Sequence, residues 1–328
     1  AMKSGKLNNE LLKSIVFNNI TYQREEIMVR AGIGEDCAVI DFGEFACVIS
    51  TDPITGANNK VGRLAVHIAC NDIASNGVEP LGLLLTLLVP EGTTEAELNE
   101  IMKEAGEAAA ELNVEIMGGH TEVTSAVNKI IISSTVIGKH PKDKVTFTKG
   151  AKPGDLVVMT KSAGLEGTAI IAHDWEDRLR KDLTENIVEE GKKMMQDISV
   201  VKEGVIAGKI GVTAMHDVTE GGLLGALWEL CEASKVGTLI DREKINIAPA
   251  TKEICEFFNL DPLRLISSGC MLITVAPEKA PELLAEYEKN KIVATVIGKI
   301  TASGRFIQDR ESISEILPPV GDELYKVF

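Results

Sequence analysis

Residues 32–40 read Gly32-Ile33-Gly34-Glu35-Asp36-Cys37-Ala38-Val39-Ile40, which is two glycines, two carboxylates and an apolar run. The apolar residues predict a buried β-strand, and the glycines permit a positive φ angle or a close approach to a ligand. Asp36 would then lie at the mouth of that strand. A solvated turn has the same pattern, so the interpretation depends on acids elsewhere in the chain.

Composition limits the possible classes of function. The chain has 328 residues and is 45% hydrophobic, which is enough to fill two cores. It contains 34 Lys and Arg against 49 Asp and Glu, a net charge of −15. This charge argues against a nucleic-acid partner, because phosphate backbones require basic patches. An acidic protein can still bind a polyphosphate when divalent cations bridge the two, so a phosphate site here should depend on metal.

The sequence also predicts a compartment. The most apolar run, residues 81–90, is too short to span a membrane, and the first five residues contain no apolar signal region. Six cysteines are scattered without a Cys-x-x-Cys pair, which indicates buried thiols in a reducing environment. We therefore expect a cytoplasmic protein without a membrane partner.

Two further acids occupy positions that favour a site. Asp52 follows a predicted strand over residues 45–50, although an aspartate before a proline is also common in turns. Asp72 continues the row of Leu64 and Ile68 on a predicted helix over residues 62–77. A carboxylate on a buried stripe needs a partner, because an unpaired buried charge is costly.

Later glycines and acids follow other predicted strands. Residues 118–121 read Gly118-Gly119-His120-Thr121 and come after a short predicted strand over 114–117. A double glycine at a strand end can present backbone N–H groups to an anion, and His120 could contact phosphate or metal or be a hydrogen-bonded loop residue. His216 and Asp217 lie between a predicted strand and helix in the same way.

The remaining pattern alternates strands and helices and predicts an α+β protein. Strands are expected at 80–89, 129–138, 156–160, 268–275 and 294–297, and helices at 7–18, 177–209 and 279–287. Thr94 and Glu97 form a predicted capping box for another helix. The glycine- and proline-rich segment near 145–150 indicates a boundary between domains 1–148 and 149–328.

Taken in order, these motifs resemble the superfamily of aminoimidazole ribonucleotide (AIR) synthetase, which includes thiamine-monophosphate kinase, selenophosphate synthetase and HypE-type hydrogenase-maturation proteins. Residues 34–39 resemble its G-D-D-A-A-V motif, Thr51-Asp52 its T-D motif and residues 71–74 its N-D-x-A motif. Residues 118–121 resemble G-G-[DEH]-T, and residues 217–223 resemble D-V-[ST]-x-G-[FG]-L.

The resemblance implies roles for particular residues. It implies that Mg²⁺ is bound by Asp36, Asp52, Asp72 and Asp217. It implies catalytic roles for Asp72, Asp217 and His216. It implies that ATP is contacted by Gly34, Asn71, Gly118, Gly119, His120 and Thr121.

The resemblance also implies a two-domain, AIR-synthetase-like (PurM-like) α+β fold. Its N-terminal sheet domain would bind ATP and Mg²⁺ and pair with a second subunit in a homodimer, and its C-terminal domain would be an α/β sandwich. The chain departs from the family motifs at Glu35, which replaces the first Asp, and at His120, where the kinase and HypE patterns have Asp.

The expected function is that of an ATP- and Mg²⁺-dependent enzyme that transfers phosphate to a small substrate or to a carbonyl or amide oxygen. The motifs lie nearest those of HypE-like proteins, but the sequence ends in Lys326-Val327-Phe328, without the modified terminal cysteine of that group. The alternatives are a non-catalytic nucleotide-binding protein that acts with a maturation-protein partner, and a structural protein whose acids are solvated turns.

Overall fold

The computed structural model describes residues 5–328. Residues 1–4 lie outside the described part, and they include most of the N-terminal segment for which no signal region was predicted. Within the described part, the chain forms two sheets, each with helices packed on it.

The first sheet has six strands in the order β1-β2-β3-β6-β4-β5. Its strands are β1 (Ile27–Val29), β2 (Ala38–Phe42), β3 (Phe45–Ile54), β4 (Pro80–Val89), β5 (Glu115–Val123) and β6 (Ile131–Pro141). All neighbours are antiparallel except β4 and β5, which are parallel. The predicted strand over 80–89 is confirmed.

Helices α2 (Val61–Ala74) and α3 (Glu95–Glu111) pack against each other, and α2 packs on β3 and β6. Most of α2 is buried, whereas α3 buries only a stripe of alanines. The predicted capping box is present: the side chain of Thr94 accepts a hydrogen bond from the backbone N–H of Glu97, and the Glu97 carboxylate accepts one from that of Thr94. Before the sheet, α1 (Asn9–Leu11) continues through irregular helical turns to Asn19, one residue past the predicted helix over 7–18.

The second sheet has seven strands in the order β13-β12-β9-β11-β7-β10-β8. Its strands are β7 (Leu156–Thr160), β8 (Ala214–Asp217), β9 (Gly237–Asp241), β10 (Met271–Val275), β11 (Ala294–Thr301), β12 (Arg305–Asp309) and β13 (Ser312–Glu315). The helices are α4 (Leu165–Asp174), α5 (Glu176–Asp182), α6 (Glu185–Lys193), α7 (Val201–Ile210), α8 (Gly222–Ser234), α9 (Pro249–Phe258) and α10 (Ala280–Lys289). The expected two-domain α+β architecture is confirmed.

The predicted end of β3 was wrong. The strand continues past Ser50 to Ile54, so Asp52 lies inside β3 opposite Ser134 of β6. Pro53 is tolerated because β2 pairs with β3 only as far as Ile49, which leaves one side of the strand free of ladder hydrogen bonds there.

The predicted end of β5 was also wrong. Gly118 and Gly119 continue the strand along β4 and do not form a turn. Both have positive φ, and a Cβ on Gly119 would lie 1.8 Å from the carbonyl oxygen of Leu85. These glycines therefore permit β4 and β5 to approach closely at a bulge. A double glycine in an anion-binding turn has the same sequence, so the sequence alone does not distinguish the two.

The two domains are packed directly against each other. Helix α2 of the first contacts α7 of the second, and the Asn71 side chain bonds to the carbonyl oxygen of Ile198 and the N–H of Val200. A Cβ on Gly204 would lie 2.1 Å from the carbonyl oxygen of Ala74, so the helices touch backbone to backbone. Among residues 5–328, no helix combines the length and apolar character needed to cross a membrane.

Candidate active site

A cavity of about 800 Å³ lies between the two domains. The α2 row predicted from the sequence, Leu64, Ile68 and Asp72, lines it, and β3 contributes Asp52 on the same side. Glu35 and Asp36 enter it from the loop before β2. Acids that are distant in sequence therefore converge at one end of the cavity, which we call the acidic centre.

Asp36, His216 and Asp217 form the first part of the acidic centre. One ligand atom from each of the three lies within 4.8 Å of those of the other two. Asp36 comes from the first domain, whereas His216 and Asp217 end β8 in the second. The Ser75 hydroxyl donates to Asp217 Oδ1 over 3.0 Å, which anchors this carboxylate to the end of α2.

Asp52 and Asp72 form the second part. Their carboxyl groups are close enough to share a hydrogen bond, and the Ser50 hydroxyl donates to Asp72 Oδ2 over 2.5 Å. Asp72 is only 5% exposed. Two carboxylates in such contact repel each other unless a proton or a cation lies between them.

Within residues 5–328, the carboxylates of the acidic centre outnumber the positive charges near them. Burial, reinforced by the charges of Asp52 and Asp217, raises the pKa of Asp72 well above its usual range. Burial and the charge of Asp36 raise the pKa of Asp217 to about 8, and Asp217 Oδ2 is buried without a hydrogen-bond partner among residues 5–328. Clustered carboxylate oxygens, one of them unpartnered, are the ligands that Mg²⁺ prefers, so these residues fit this ion.

His216 lies between two carboxylates. Its Nδ1 is 2.8 Å from Asp36 Oδ2, and its Nε2 is 2.8 Å from Glu229 Oε2 on α8. Burial alone would lower the pKa of His216, but Asp36 and Glu229 raise it well above its usual value. Since both ring nitrogens face carboxylates, the ring is held as an imidazolium that donates both hydrogen bonds.

Lys6 supplies a further positive charge. It lines the cavity, and its backbone N–H donates to Glu220 Oε1 over 3.0 Å. Burial lowers the pKa of Lys6, but Glu229 and Asp36 outweigh this effect and the pKa is raised. One lysine is too little to neutralise the acidic centre.

The other end of the cavity is different in character. It is lined by the apolar side chains Ile170 and Ile266 and by Glu166 and Ser268. Burial raises the pKa of Glu166 to about 7, although the backbone N–H of Ser268 donates to this carboxyl over 3.1 Å. This end offers an apolar surface with a few polar groups, which is typical of sites for organic ligands.

The structure does not bring the other predicted residues into this centre within one chain. Gly34 has φ +77° and lies against the carbonyl oxygen of Glu229, where it allows the loop to approach α8. The Asn71 side chain is occupied by hydrogen bonds to the backbone of Ile198 and Val200, just before α7. Residues 118–121 lie on the exposed edge strand β5, where His120 contacts Glu122 over 3.0 Å. The nucleotide-contact roles of these residues stay predictions.

Sequence reasoning missed Lys6, Ser50, Ser75 and Glu229. None belongs to a recognisable motif, and each reaches the acidic centre only through the tertiary fold. The position of Glu229 on α8 carries no signal, because an acid thirteen residues after His216 is indistinguishable from a solvated helical residue.

Two family models match the chain. Residues 34–140 match the N-terminal domain of AIR synthase related protein, and residues 152–309 match its C-terminal domain. Together these matches cover most of the chain. The protein therefore belongs to the AIR synthase related family.

Two individual relatives are similar to this chain over most of its length. A putative hydrogenase expression/formation protein of Methanocaldococcus jannaschii is 32% identical, over 98% of this chain and 97% of the relative. A carbamoyl dehydratase HypE of Rhizobium leguminosarum bv. viciae is 31% identical, over 85% of this chain and 79% of the relative. The expected kinship with HypE-like proteins and the prediction of an enzyme are thus confirmed at the level of the family.

Solved structures have the same fold. The crystal structure of a HypE–HypF complex contains a chain that matches with a TM-score of 0.76 and 26% identity, over 94% of this chain and 99% of that one. A HypE in complex with ATP matches with a TM-score of 0.74 and 22% identity, over 97% and 96%. The second similarity, at this identity, establishes the fold alone.

Proposed function

We propose that this protein is a Mg²⁺-dependent, ATP-using enzyme that transfers phosphate from ATP to an oxygen of a small substrate, such as a carbonyl or amide oxygen. The observation that carries the proposal is the convergence of four aspartates from both domains: Asp36, Asp52 and Asp72 line a cavity of about 800 Å³, and Asp217 lies beside Asp36. Carboxylates from both domains at one point are difficult to explain as solvated turns, because Asp72 and Asp217 are buried.

These four aspartates are the residues that would hold the metal. Bound Mg²⁺ would neutralise charge on the phosphate groups, which the acidic centre cannot otherwise accommodate. Ser50 and Ser75 orient the carboxylates of Asp72 and Asp217 through their hydrogen bonds. Preorganised ligands of this kind reduce the cost of binding.

The chain's own groups also provide a proton carrier and a substrate surface. His216 holds a proton at each ring nitrogen between Asp36 and Glu229, next to Asp217. The organic substrate would bind at the end of the cavity formed by Glu166, Ser268, Ile170 and Ile266. Because both ends belong to one cavity, phosphate and acceptor could meet without a large movement of the domains.

The relatives support this assignment. One bears the name carbamoyl dehydratase, and a structural neighbour was crystallised with ATP. Another was crystallised in complex with HypF, which supports a maturation protein as a partner of this chain. The six free cysteines support the expected cytoplasmic location.

We also propose a homodimer formed through the first sheet. Strands β4 and β5 expose four large apolar side chains: Leu81, Leu84, Met117 and Val123. Exposed apolar side chains on the edge of a sheet are typical of an interface. Residues 118–121 lie on the same edge strand, so in a dimer they could contact the nucleotide in the partner's cleft.

A thermal-shift titration with ATP, with and without Mg²⁺, tests the proposal. A ligand at ~100 times its dissociation constant stabilises the folded state by roughly 2.7 kcal/mol, which corresponds to several degrees. We expect this rise only with Mg²⁺, and we expect Asp72→Asn to lose it. The matched control is Glu256→Gln, an exposed carboxylate on α9, which should respond as the wild type does.

Turnover separates the enzyme from the non-catalytic alternative. Phosphate release should rise when carbonyl- or amide-containing substrates are added to the wild type with Mg·ATP. Binding without stimulation by any substrate would favour a nucleotide-binding maturation partner, and no shift at millimolar ATP would contradict both.

A further inference from the structure

A second interdomain cavity has a volume of about 890 Å³ and shares none of the described residues with the lining of the first. It lies where β6 ends, along the connector that follows and beside the last turn of α7. Its ionisable lining consists of Lys139, His140, Lys144, Lys149 and Lys209 against the two acids Glu79 and Asp143. Positive charge therefore dominates this cavity, although the whole chain carries −15.

The four lysines are not neutralised by neighbouring carboxylates. Within residues 5–328, none of them has a carboxylate oxygen within 4 Å, whereas Lys142, on the same connector, pairs with Asp41 at 2.9 Å. Lys139 lies 4.1 Å above the ring of Phe45, and Lys149 lies 5.9 Å from that of Phe147. Such cation–π contacts orient an ammonium group without cancelling its charge.

The walls of this cavity are fixed by close backbone contacts. A Cβ on Gly208 would lie 2.8 Å from the Cα of Gly77, and one on Gly150 would lie 1.9 Å from the carbonyl oxygen of Thr213. The turn after α2 therefore meets α7, and the connector meets the segment before β8, without intervening side chains. The cavity is formed by packed elements from both domains and does not require a loop to close over it.

We propose that this cavity binds a small polyanion carrying several phosphate groups, without a divalent metal. Its volume lies within the range of small-molecule sites. Lysine binds phosphate as a mobile point charge, and four uncompensated lysines match the charge of a polyphosphate. This chemistry is opposite to that of the acidic centre, where an anion can bind only with metal.

Calorimetric titration with inorganic tripolyphosphate in EDTA tests the proposal. We expect the wild type to bind, and the double variant Lys144→Glu with Lys209→Glu to bind at least about tenfold more weakly, a loss of about 1.4 kcal/mol. These two lysines come from different domains. Lys149 is left unchanged because its charge also acts on Glu35 beside the acidic centre.

Two controls assign the binding to this cavity. Lys181→Glu with Lys252→Glu makes the same change in net charge at exposed helical positions outside both cavities, and it should leave the affinity within about threefold of the wild type. Asp72→Asn should bind tripolyphosphate in EDTA as the wild type does. Absence of binding by the wild type, equal weakening by the two lysine pairs, or loss of binding in Asp72→Asn would each overturn the proposal.

Discussion

His216 Nδ1 lies 2.8 Å from Asp36 Oδ2, and this contact joins the second domain to the loop that precedes β2 in the first. Glu229 contacts the other ring nitrogen at the same distance. Burial raises the pKa of Glu229, but the hydrogen bond and positive charge of His216 reverse this effect and lower it overall. The three side chains therefore form one buried ionic unit that couples the domains.

Removal of His216 should destabilise the metal-free protein. His216→Ala leaves two buried carboxylates without their cation, and the loss of one partner from a buried ion pair costs about 3 kcal/mol. Denaturant unfolding in EDTA measures the change. Glu229→Gln removes one of the two carboxylates, so the cost of His216→Ala should fall by at least about 1 kcal/mol in that background.

The control for this cycle is His173→Ala. His173 on α4 is half-buried and faces the carbonyl oxygen of Lys192, away from the acidic centre. His173→Ala should reduce the free energy of unfolding by the same amount whether residue 229 is Glu or Gln. Additive effects of His216→Ala and Glu229→Gln would mean that the observed contacts carry no coupling energy.

Gly34→Ala should displace the loop that carries Asp36. Gly34 has φ +77°, and a Cβ there would lie 2.9 Å from the carbonyl oxygen of Glu229. Strain and steric overlap together should destabilise the protein by at least about 2 kcal/mol, as measured by denaturant unfolding. They should also weaken the Mg·ATP-dependent thermal shift.

Gly43→Ala separates the two causes. Gly43 has φ +85° in the turn between β2 and β3, but no atom of the described part of the chain lies within 4 Å of the added Cβ. This variant should show only the cost of a left-handed alanine, about 1 kcal/mol, with the ATP response retained. Equal effects of the two variants would show that steric overlap with α8 does not contribute to the cost of Gly34→Ala.

The sequence predicted much of the fold because its periodic signals are local. The strand over residues 80–89, the capping box at Thr94 and the row of Leu64, Ile68 and Asp72 all depend on spacing within one element. The convergence of Asp36, Asp72 and Asp217 could be expected only through the family resemblance, since no local rule joins residues from different domains.

The errors have a physical origin in strand pairing. Whether β3 ends at Ser50 or Ile54 is decided by its partner β6, and whether Gly118-Gly119 forms a turn or a close strand contact is decided by β4. In both cases the partner strand is distant in the sequence from the residues whose structure it decides. The same holds for Glu229 and Lys6, which the fold brings to the acidic centre from distant parts of the chain.

The exposed apolar strands predict a dimer that a charge should disrupt. Leu84→Glu places a carboxylate on the exposed surface of β4, beside Gly118 of the edge strand β5, so dimerisation would bury it unpaired. We expect the wild type to sediment as a dimer and Leu84→Glu as a monomer. Val320→Glu, at a residue that is 93% exposed in the second domain, should remain dimeric, and a monomeric wild type would contradict the proposed interface.

The raised pKa of Asp217, about 8, predicts how stability depends on pH. The folded protein retains a proton that the unfolded chain releases near its ordinary pKa of 3.8, so this group's contribution is lost as pH rises towards 8. In EDTA, unfolding free energy should fall by roughly 2 kcal/mol between pH 6 and 8 because of this carboxyl group. Asp217→Asn should remove that part of the slope.

Magnesium should act in the opposite direction in the same pH window. Because metal competes with the proton on Asp217, the stabilisation by Mg²⁺ should grow as pH rises from 6 to 8, and Asp217→Asn should abolish this growth. Glu166, whose pKa is about 7, contributes a slope of the same sign outside the acidic centre, so Glu166→Gln serves as the control. Glu166→Gln should make the metal-free unfolding free energy depend less steeply on pH. It should leave the pH dependence of the Mg²⁺ effect unchanged. A Mg²⁺ effect independent of pH in the wild type would contradict the assignment of Asp217 as a ligand.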